Sequence, residues 1–110
     1  MALELEYVVV EPARAEIDTL DGPALLEFGS PGCGYCRAAQ PLVAAAMSAH
    51  PRVRHLKIAD GAGRPLGRSF RVTLWPTLVF LRDGREAARL VRPADADAIG
   101  AALAQVDTAG

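Results

Sequence analysis

At 110 residues the chain can bury one hydrophobic core but not two, so we expect residues 1–110 to form a single domain. Its 12 basic and 13 acidic residues nearly cancel, which argues against nucleic acid or anionic lipid as a partner, and no apolar run is long enough to span a membrane. Glu4 and Glu6 stand where a secretory signal would carry basic residues, so we expect a cytoplasmic protein. We also expect it to act as a monomer.

The first half of the chain predicts two strands that alternate with two helices. Apolar residues alternate over residues 3–9 and indicate a strand, and residues 12–20 predict a helix with proline in its first turn. Residues 24–28 are typical of a buried strand, although one of them is an acid. Residues 33–49 are rich in Ala and Leu and predict a second helix, in which Pro41 predicts a kink.

The second half predicts three strands and two helices. The strands cover residues 53–59, 77–81 and 85–91, and a short helix covers residues 64–70. The last two strands form a hairpin, because Asp83-Gly84 supplies the positive φ angles of a tight turn. Asp95 is a suitable N-cap for a final helix, whose inner face carries Ile99, Leu103 and Val106. The predicted order is β-α-β-α-β-α-β-β-α.

Cys33 and Cys36 are the residues most indicative of chemistry. Two cysteines separated by two residues can close a small disulfide ring, and here they follow a Gly/Pro loop at the predicted start of a helix. The helix dipole and unpaired N–H groups at that position stabilise a thiolate, so we expect Cys33 to be the attacking nucleophile. Cys36, covered by its own helix, is then the resolving thiol that releases the substrate.

Two alternatives for the cysteine pair remain. The cysteines could be small apolar core residues, but their position at a helix start favours reactivity. Cys33, Cys36, His50 and His55 also have the spacing of a zinc site with two cysteines and two histidines. Such a site needs both histidines on one helix, whereas Pro51 separates them here. We therefore expect neither a metal nor an organic cofactor.

The chain resembles the thioredoxin family along nearly its whole length. The matching residues are Asp21-Gly22, Glu27-Phe28, Cys33, Cys36, Pro41, Phe70, Val72, Pro76-Thr77 and Asp83-Gly84. The resemblance implies an α/β thioredoxin fold, in which one central mixed sheet of about five strands is flanked by about four helices. It also implies dithiol–disulfide exchange as the activity.

The resemblance also implies roles for residues outside the cysteine pair. The resemblance implies that Pro76 is cis and faces the disulfide, so that the backbone of Trp75 can pair with an extended peptide. Glu27 stands where relatives usually have a buried Asp that acts through water as proton acceptor for the resolving thiol. Relatives place a lysine on the next strand facing that acid. Either His55 or Lys57 can fill this place.

Several positions depart from the family pattern around the expected substrate groove. Gly32 replaces the tryptophan that usually precedes the first cysteine, and Trp75 replaces a smaller residue just before the proline. We therefore expect the aromatic wall of the groove to lie at Trp75 and not before Cys33. The inner dipeptide contains Tyr35 and resembles that of disulfide isomerases. Arg92 replaces a common glycine, as does Arg71, and is either a solvated surface charge or a groove residue that favours acidic substrates. The candidate substrate-binding residues are Gly32, Tyr35, Trp75, Pro76 and Arg92.

The sequence therefore predicts a thiol–disulfide oxidoreductase that reduces disulfides in protein substrates. Its catalytic residues are Cys33, Cys36 and Glu27, and a thiol reductant such as a thioredoxin reductase regenerates the dithiol. A disulfide isomerase or oxidant remains an alternative within the same chemistry. A binding module that holds a partner without turnover is the alternative from another class, since a fold alone does not establish activity.

Overall fold

The computed structural model describes residues 6–108, which form four helices and four strands. The helices are α1 (Arg14–Asp18), α2 (Gly34–Met47), α3 (Pro65–Ser69) and α4 (Ala96–Val106). The strands are β1 (Pro23–Gly29), β2 (Arg54–Ala59), β3 (Thr77–Arg82) and β4 (Arg85–Val91). Among these described residues no helix is long and apolar enough to cross a membrane.

The four strands form one mixed sheet in the order β2-β1-β3-β4. β1 is parallel to β2 and antiparallel to β3, and β3 is antiparallel to β4. The expected first strand is not present over residues 6–9, where the backbone N–H of Val8 donates one 2.9 Å hydrogen bond to the carbonyl of Lys57. One such bond does not make a ladder. The rest of that expected strand, with Leu3 and Leu5, lies outside the described residues.

β1 is buried on both faces, which explains its nearly continuous run of apolar residues. On one side, Leu25 packs in a core that includes Val43 of α2 and Leu103 of α4. On the other side, Leu26 and Phe28 pack in a core that includes residues of α1, α3 and β3: Ile17, Leu66 and Val79. The sheet therefore lies between two layers of helices, as the predicted element order implied.

Local signals place the turns and helix ends close to their predicted positions. Asp83 and Gly84 have φ angles of 51° and 79°, so the β3–β4 hairpin has the predicted tight turn. The Asp95 carboxylate accepts a 2.8 Å hydrogen bond from the N–H of Ala98 and caps α4. Pro41 lies inside α2, and a kink there stays a prediction.

The hydrogen-bond register brings four chain segments to one end of the sheet. β1 ends at Gly29, and its residue Phe28 pairs with Thr77, the first residue of β3. Thr77 also pairs with Val91, the last residue of β4. Helix α2 begins after the loop that follows β1. The end of β1, the start of α2, the start of β3 and the end of β4 therefore surround a common site.

Candidate active site

Cys33 is the N-cap of α2, and Cys36 lies in the first turn of that helix. The Cys33 backbone is extended, and its sulfur accepts a 3.1 Å hydrogen bond from the N–H of Cys36. The sulfur thus takes the position that a serine or aspartate oxygen usually occupies at a helix start. Both cysteines are free thiols; Cys33 is half-buried, whereas the Cys36 side chain is only 3% exposed.

The two thiols differ in their protonation. Burial opposes ionisation of Cys33, but hydrogen bonds from the Cys36 thiol and from the backbone of Cys36 and Tyr35, together with the Arg92 charge, lower the pKa of Cys33 below its usual range. For Cys36, burial is the largest cause and the hydrogen bond to Cys33 adds to it, which raises its pKa to about 11. Cys33 is therefore the thiol that ionises first.

Gly29, the last residue of β1, makes room for the buried thiol. A methyl group on Gly29 would lie only 2.7 Å from the Cys36 sulfur and 3.1 Å from the Tyr7 hydroxyl oxygen. Any larger side chain here would displace one of these groups. The glycine therefore permits the close approach of α2 to the central strand, and β1 directly supports the resolving thiol.

A polar network lies in the interior behind Cys36. The Glu27 side chain is only 1% exposed, although it belongs to an otherwise apolar strand. Gln40 donates a 2.6 Å hydrogen bond to one carboxylate oxygen, and the other oxygen lies 2.8 Å from Nε2 of His55. Gln40 also donates a 3.0 Å hydrogen bond to the carbonyl of Cys36. This network satisfies the buried carboxylate and links it to the helix turn that carries the thiol.

The structure distinguishes the two candidate partners of Glu27. His55 contacts the carboxylate directly, whereas Lys57 donates a 3.1 Å hydrogen bond to the side-chain oxygen of Gln40. Gln40 is a site residue that was not predicted from the sequence. The available signal was its spacing, because a polar residue four positions after Cys36 lies on the same face of the helix.

The cis Trp75–Pro76 peptide and Arg92 form a wall of the site beside Cys33. The carbonyl oxygen of Trp75 lies 4.0 Å from the Cys33 sulfur and accepts a 2.9 Å hydrogen bond from Nε of Arg92. The indole N–H of Trp75 donates a 2.8 Å hydrogen bond to Asp60, so the ring is tied to the loop after β2. The backbone of Trp75 thus lies beside the nucleophilic sulfur.

Arg92 also connects this wall to the first turn of α2. Its guanidinium lies over the Tyr35 ring, 3.9 Å from the ring centroid, and Tyr35 is 61% exposed. The backbone of Arg92 has a φ angle of 49°. Gly32 is exposed and has open space around its Cα. The candidate substrate-binding residues therefore lie on both sides of Cys33, and Arg92 bridges them.

The histidines proposed for a zinc site have other partners. Nδ1 of His50 lies 2.7 Å from the Asp107 carboxylate, and His55 contacts Glu27. Across residues 6–108 no group of three or more His, Cys, Asp or Glu side chains is arranged to hold a metal ion. The spacing of cysteines and histidines in the sequence does not correspond to a cluster in this structure.

Known proteins with a similar sequence or structure include thioredoxins. The sequence model of the Thioredoxin family matches residues 6–105. The solved structure of reduced thioredoxin 2 from Pseudomonas aeruginosa is 55% identical, with a TM-score of 0.84 over 94% of this chain and 95% of that chain. Thioredoxin from Chlamydia trachomatis is 33% identical over 79 residues, which are 71% of this chain and 76% of that protein. The thioredoxin resemblance and fold expected from the sequence are confirmed.

Some relatives are much longer than this chain. Protein disulfide-isomerase A2 from Homo sapiens is 42% identical over 84 residues, which are 70% of this chain but only 16% of that protein. The same enzyme from Pongo abelii is 46% identical over 67 residues, which are 56% of this chain and 13% of that protein. The chain thus spans less than a fifth of these isomerases.

The contrast between the thiols predicts selective alkylation of Cys33. When the reduced protein is treated with limiting iodoacetamide at pH 7, we expect Cys33 to be modified and Cys36 to stay intact, because the pKa of Cys33 is lowered and that of Cys36 is raised. As pH rises, the Cys33 rate should level off below the ordinary cysteine pKa of about 8.5. Cys36 should react only toward pH 11. Mass spectrometry of tryptic peptides measures both rates.

The unfolded protein in urea is the control for this experiment. Unfolding removes the cap and the burial, so both cysteines should then react at similar rates. Equal alkylation rates in the native protein would contradict the assignment of a stabilised thiolate to Cys33.

Proposed function

We propose that this chain, which belongs to the thioredoxin family, catalyses dithiol–disulfide exchange and reduces disulfides in protein substrates. The observation that carries the proposal is the asymmetry of the two sulfurs. Cys33 is partly accessible, caps α2 and has a lowered pKa, whereas Cys36 is buried and has a raised pKa. The first arrangement suits a nucleophile, and the second suits a thiol that acts only on its immediate neighbour.

The proposed reaction has two exchange steps. In the first, the Cys33 thiolate attacks one sulfur of the substrate disulfide, so a Cys33–substrate bond forms while the substrate's own S–S bond breaks. The second substrate sulfur leaves as a thiolate and takes up a proton. In the second step Cys36 loses its proton and attacks the Cys33 sulfur. The Cys33–Cys36 disulfide forms, and the substrate leaves with both of its sulfurs reduced.

Glu27 is proposed to accept the proton that Cys36 loses. Burial and Cys33 have the largest effects on the pKa of Cys36, and the charge of Glu27 raises it further. Glu27 is itself buried. Gln40 and His55 orient its two oxygens and are positioning residues.

The groove beside Cys33 is proposed to bind an extended substrate segment. A carbonyl oxygen has two lone pairs, so that of Trp75 can accept the Arg92 bond and still accept an N–H from a substrate backbone. Exposed apolar residues also lie beside this groove: Tyr35 contacts Arg92, Leu74 precedes Trp75, and Val91 precedes Arg92. They can cover apolar side chains of the substrate. Arg92 adds a positive charge, which favours acidic segments.

The cellular setting follows from the same chemistry. Each turnover leaves the Cys33–Cys36 disulfide, so a thiol reductant has to regenerate the dithiol. We propose a thioredoxin reductase for this role, because this chain is 55% identical to a bacterial thioredoxin along nearly its whole length. We also propose that the protein acts as a monomer in a reducing compartment, the cytoplasm, where such dithiols are maintained.

The proposed activity is tested by insulin reduction with dithiothreitol as the electron source. We expect turnover by the wild-type chain, none by Cys33→Ser, and accumulation of a mixed disulfide with insulin by Cys36→Ser, because the resolving thiol is missing. Turbidity measures turnover, and non-reducing electrophoresis detects the adduct. An inactive wild-type chain with an intact, reducible Cys33–Cys36 disulfide would instead support a binding module.

A disulfide isomerase or oxidant is the second candidate function. It is favoured by the Gly34-Tyr35 dipeptide between the cysteines and by 42% identity to human protein disulfide-isomerase A2 over 84 residues. We expect a redox potential between those of thioredoxin and protein disulfide isomerase, about −270 and −180 mV. Equilibration with glutathione buffers measures it. A potential below that of thioredoxin would contradict the expectation, and one above −180 mV would favour an oxidant.

Arg92 is predicted to determine a preference for acidic substrates. Arg92→Gln should lower kcat/KM about two- to fivefold for a disulfide-bridged peptide with glutamates beside the cysteine, because a partly exposed charge pair contributes little more than this. The matched peptide with glutamines should be affected less. Arg85→Gln, which removes the same charge at the opposite end of β4, is the control. Equal losses for both peptides would show that Arg92 does not act through substrate charge.

A further inference from the structure

Tyr7 lies against the resolving thiol, although it belongs to none of the helices and strands described above. Its neighbour Val8 is held to β2 by the hydrogen bond from its N–H to the Lys57 carbonyl. The Tyr7 hydroxyl oxygen and the Cys36 sulfur both approach the position of a Gly29 side chain, at 3.1 Å and 2.7 Å. Tyr7 therefore occupies the space beside Cys36 that the missing side chain of Gly29 leaves open.

The surroundings of Tyr7 keep its hydroxyl available as a donor. The Lys57 ammonium lies over the ring, 4.6 Å from its centroid. Burial raises the pKa of Tyr7 above its usual range, and the negative charges of Cys36 and Glu27 raise it further, so the phenol stays protonated throughout the pH range of the reaction. A half-buried phenol needs a hydrogen-bond partner, and the Cys36 sulfur lies beside the hydroxyl at the Gly29 position.

We propose that Tyr7 is a positioning residue for the resolving step, in which its hydroxyl donates a hydrogen bond to the Cys36 sulfur as that sulfur becomes a thiolate. This inference rests on the dithiol mechanism proposed above. Tyr7 transfers no proton: Cys36 loses its own, attacks Cys33 and expels the substrate thiolate. The hydroxyl favours the charged form of Cys36 at the moment of attack and directs its sulfur toward Cys33.

Several other described groups lie around Cys36, and they affect its ionisation in different ways. Cys33 and Glu27 disfavour a second negative charge, and the backbone of Ser30 supplies one hydrogen bond. A cavity of about 340 Å³ adjoins the thiol, and its charged lining residues are Glu6, Arg37 and Lys57. The Lys57 ammonium already donates to Gln40. The neutral donors Ser30 and Gln40 also line this cavity, and the Gln40 amide donates to Glu27 and to the Cys36 carbonyl. The Tyr7 hydroxyl is the neutral side-chain donor that shares the space beside Gly29 with the Cys36 sulfur.

The test is a single-turnover reaction of the reduced full chain with the chromogenic disulfide dithiobis-nitrobenzoate. Attack by Cys33 releases one coloured thiolate, and attack by Cys36 on the resulting mixed disulfide releases a second. We expect Tyr7→Phe to leave the first phase unchanged and to slow the second about three- to tenfold, because a lost hydrogen bond lowers the thiolate population more than it raises nucleophilicity. The pH midpoint of the second phase should move upward.

Two controls separate this effect from a general loss of structure. Ser48→Ala removes an exposed hydroxyl at the end of α2 and should change neither phase. A wild-type chain that releases only one coloured thiolate would contradict the dithiol mechanism itself. With two phases in the wild type, an unchanged second phase in Tyr7→Phe, or equal slowing of both phases, would overturn the role of Tyr7 alone.

Discussion

The hydrogen bond from the Cys36 N–H to the Cys33 sulfur is the interaction on which the site depends. It begins α2, because the sulfur satisfies a backbone donor that has no partner within the helix. It also stabilises negative charge on Cys33, while the same turn buries Cys36. One local geometry therefore produces an accessible thiolate and a protected thiol. Attack by Cys36 on the Cys33 sulfur of a mixed disulfide needs no large rearrangement, since the two residues are neighbours in a single helical turn.

The central strand provides the support that this turn requires. β1 pairs on both sides and is buried on both faces, so its end is among the best-fixed parts of the sheet. From this strand Gly29 permits the approach of Cys36, and Glu27 brings a carboxylate into the interior. Such a buried charge is tolerated because Gln40 and His55 satisfy its oxygens. The strand that organises the core also carries the proposed proton acceptor.

Around the thiols, groups from separate segments complement one another. Gly29 carries no side chain, and Tyr7 occupies the adjacent space. The carbonyl of Trp75, beside Cys33, is held by Arg92, whose guanidinium in turn covers Tyr35. The backbone N–H of Arg92 donates a 3.0 Å hydrogen bond to the Pro76 carbonyl, which holds the end of β4 beside the cis peptide. Substitutions at one of these positions therefore have consequences at its partner, although the two are distant in sequence.

Residues close together in the chain were sufficient to predict the features that arise from local physics. Helix periodicity, the Asp83-Gly84 turn, the Asp95 cap and the cysteine pair at a helix start involve residues a few positions apart, so their spacing is sufficient to predict them. Three further features became known from the folded chain: His55 rather than Lys57 contacts Glu27, Gln40 links this acid to Cys36, and residues 6–9 form no strand. The tertiary structure also placed Tyr7 and Arg92 beside the thiols. These outcomes depend on the distances between segments far apart in the chain, and packing of the whole sheet and its helices sets those distances.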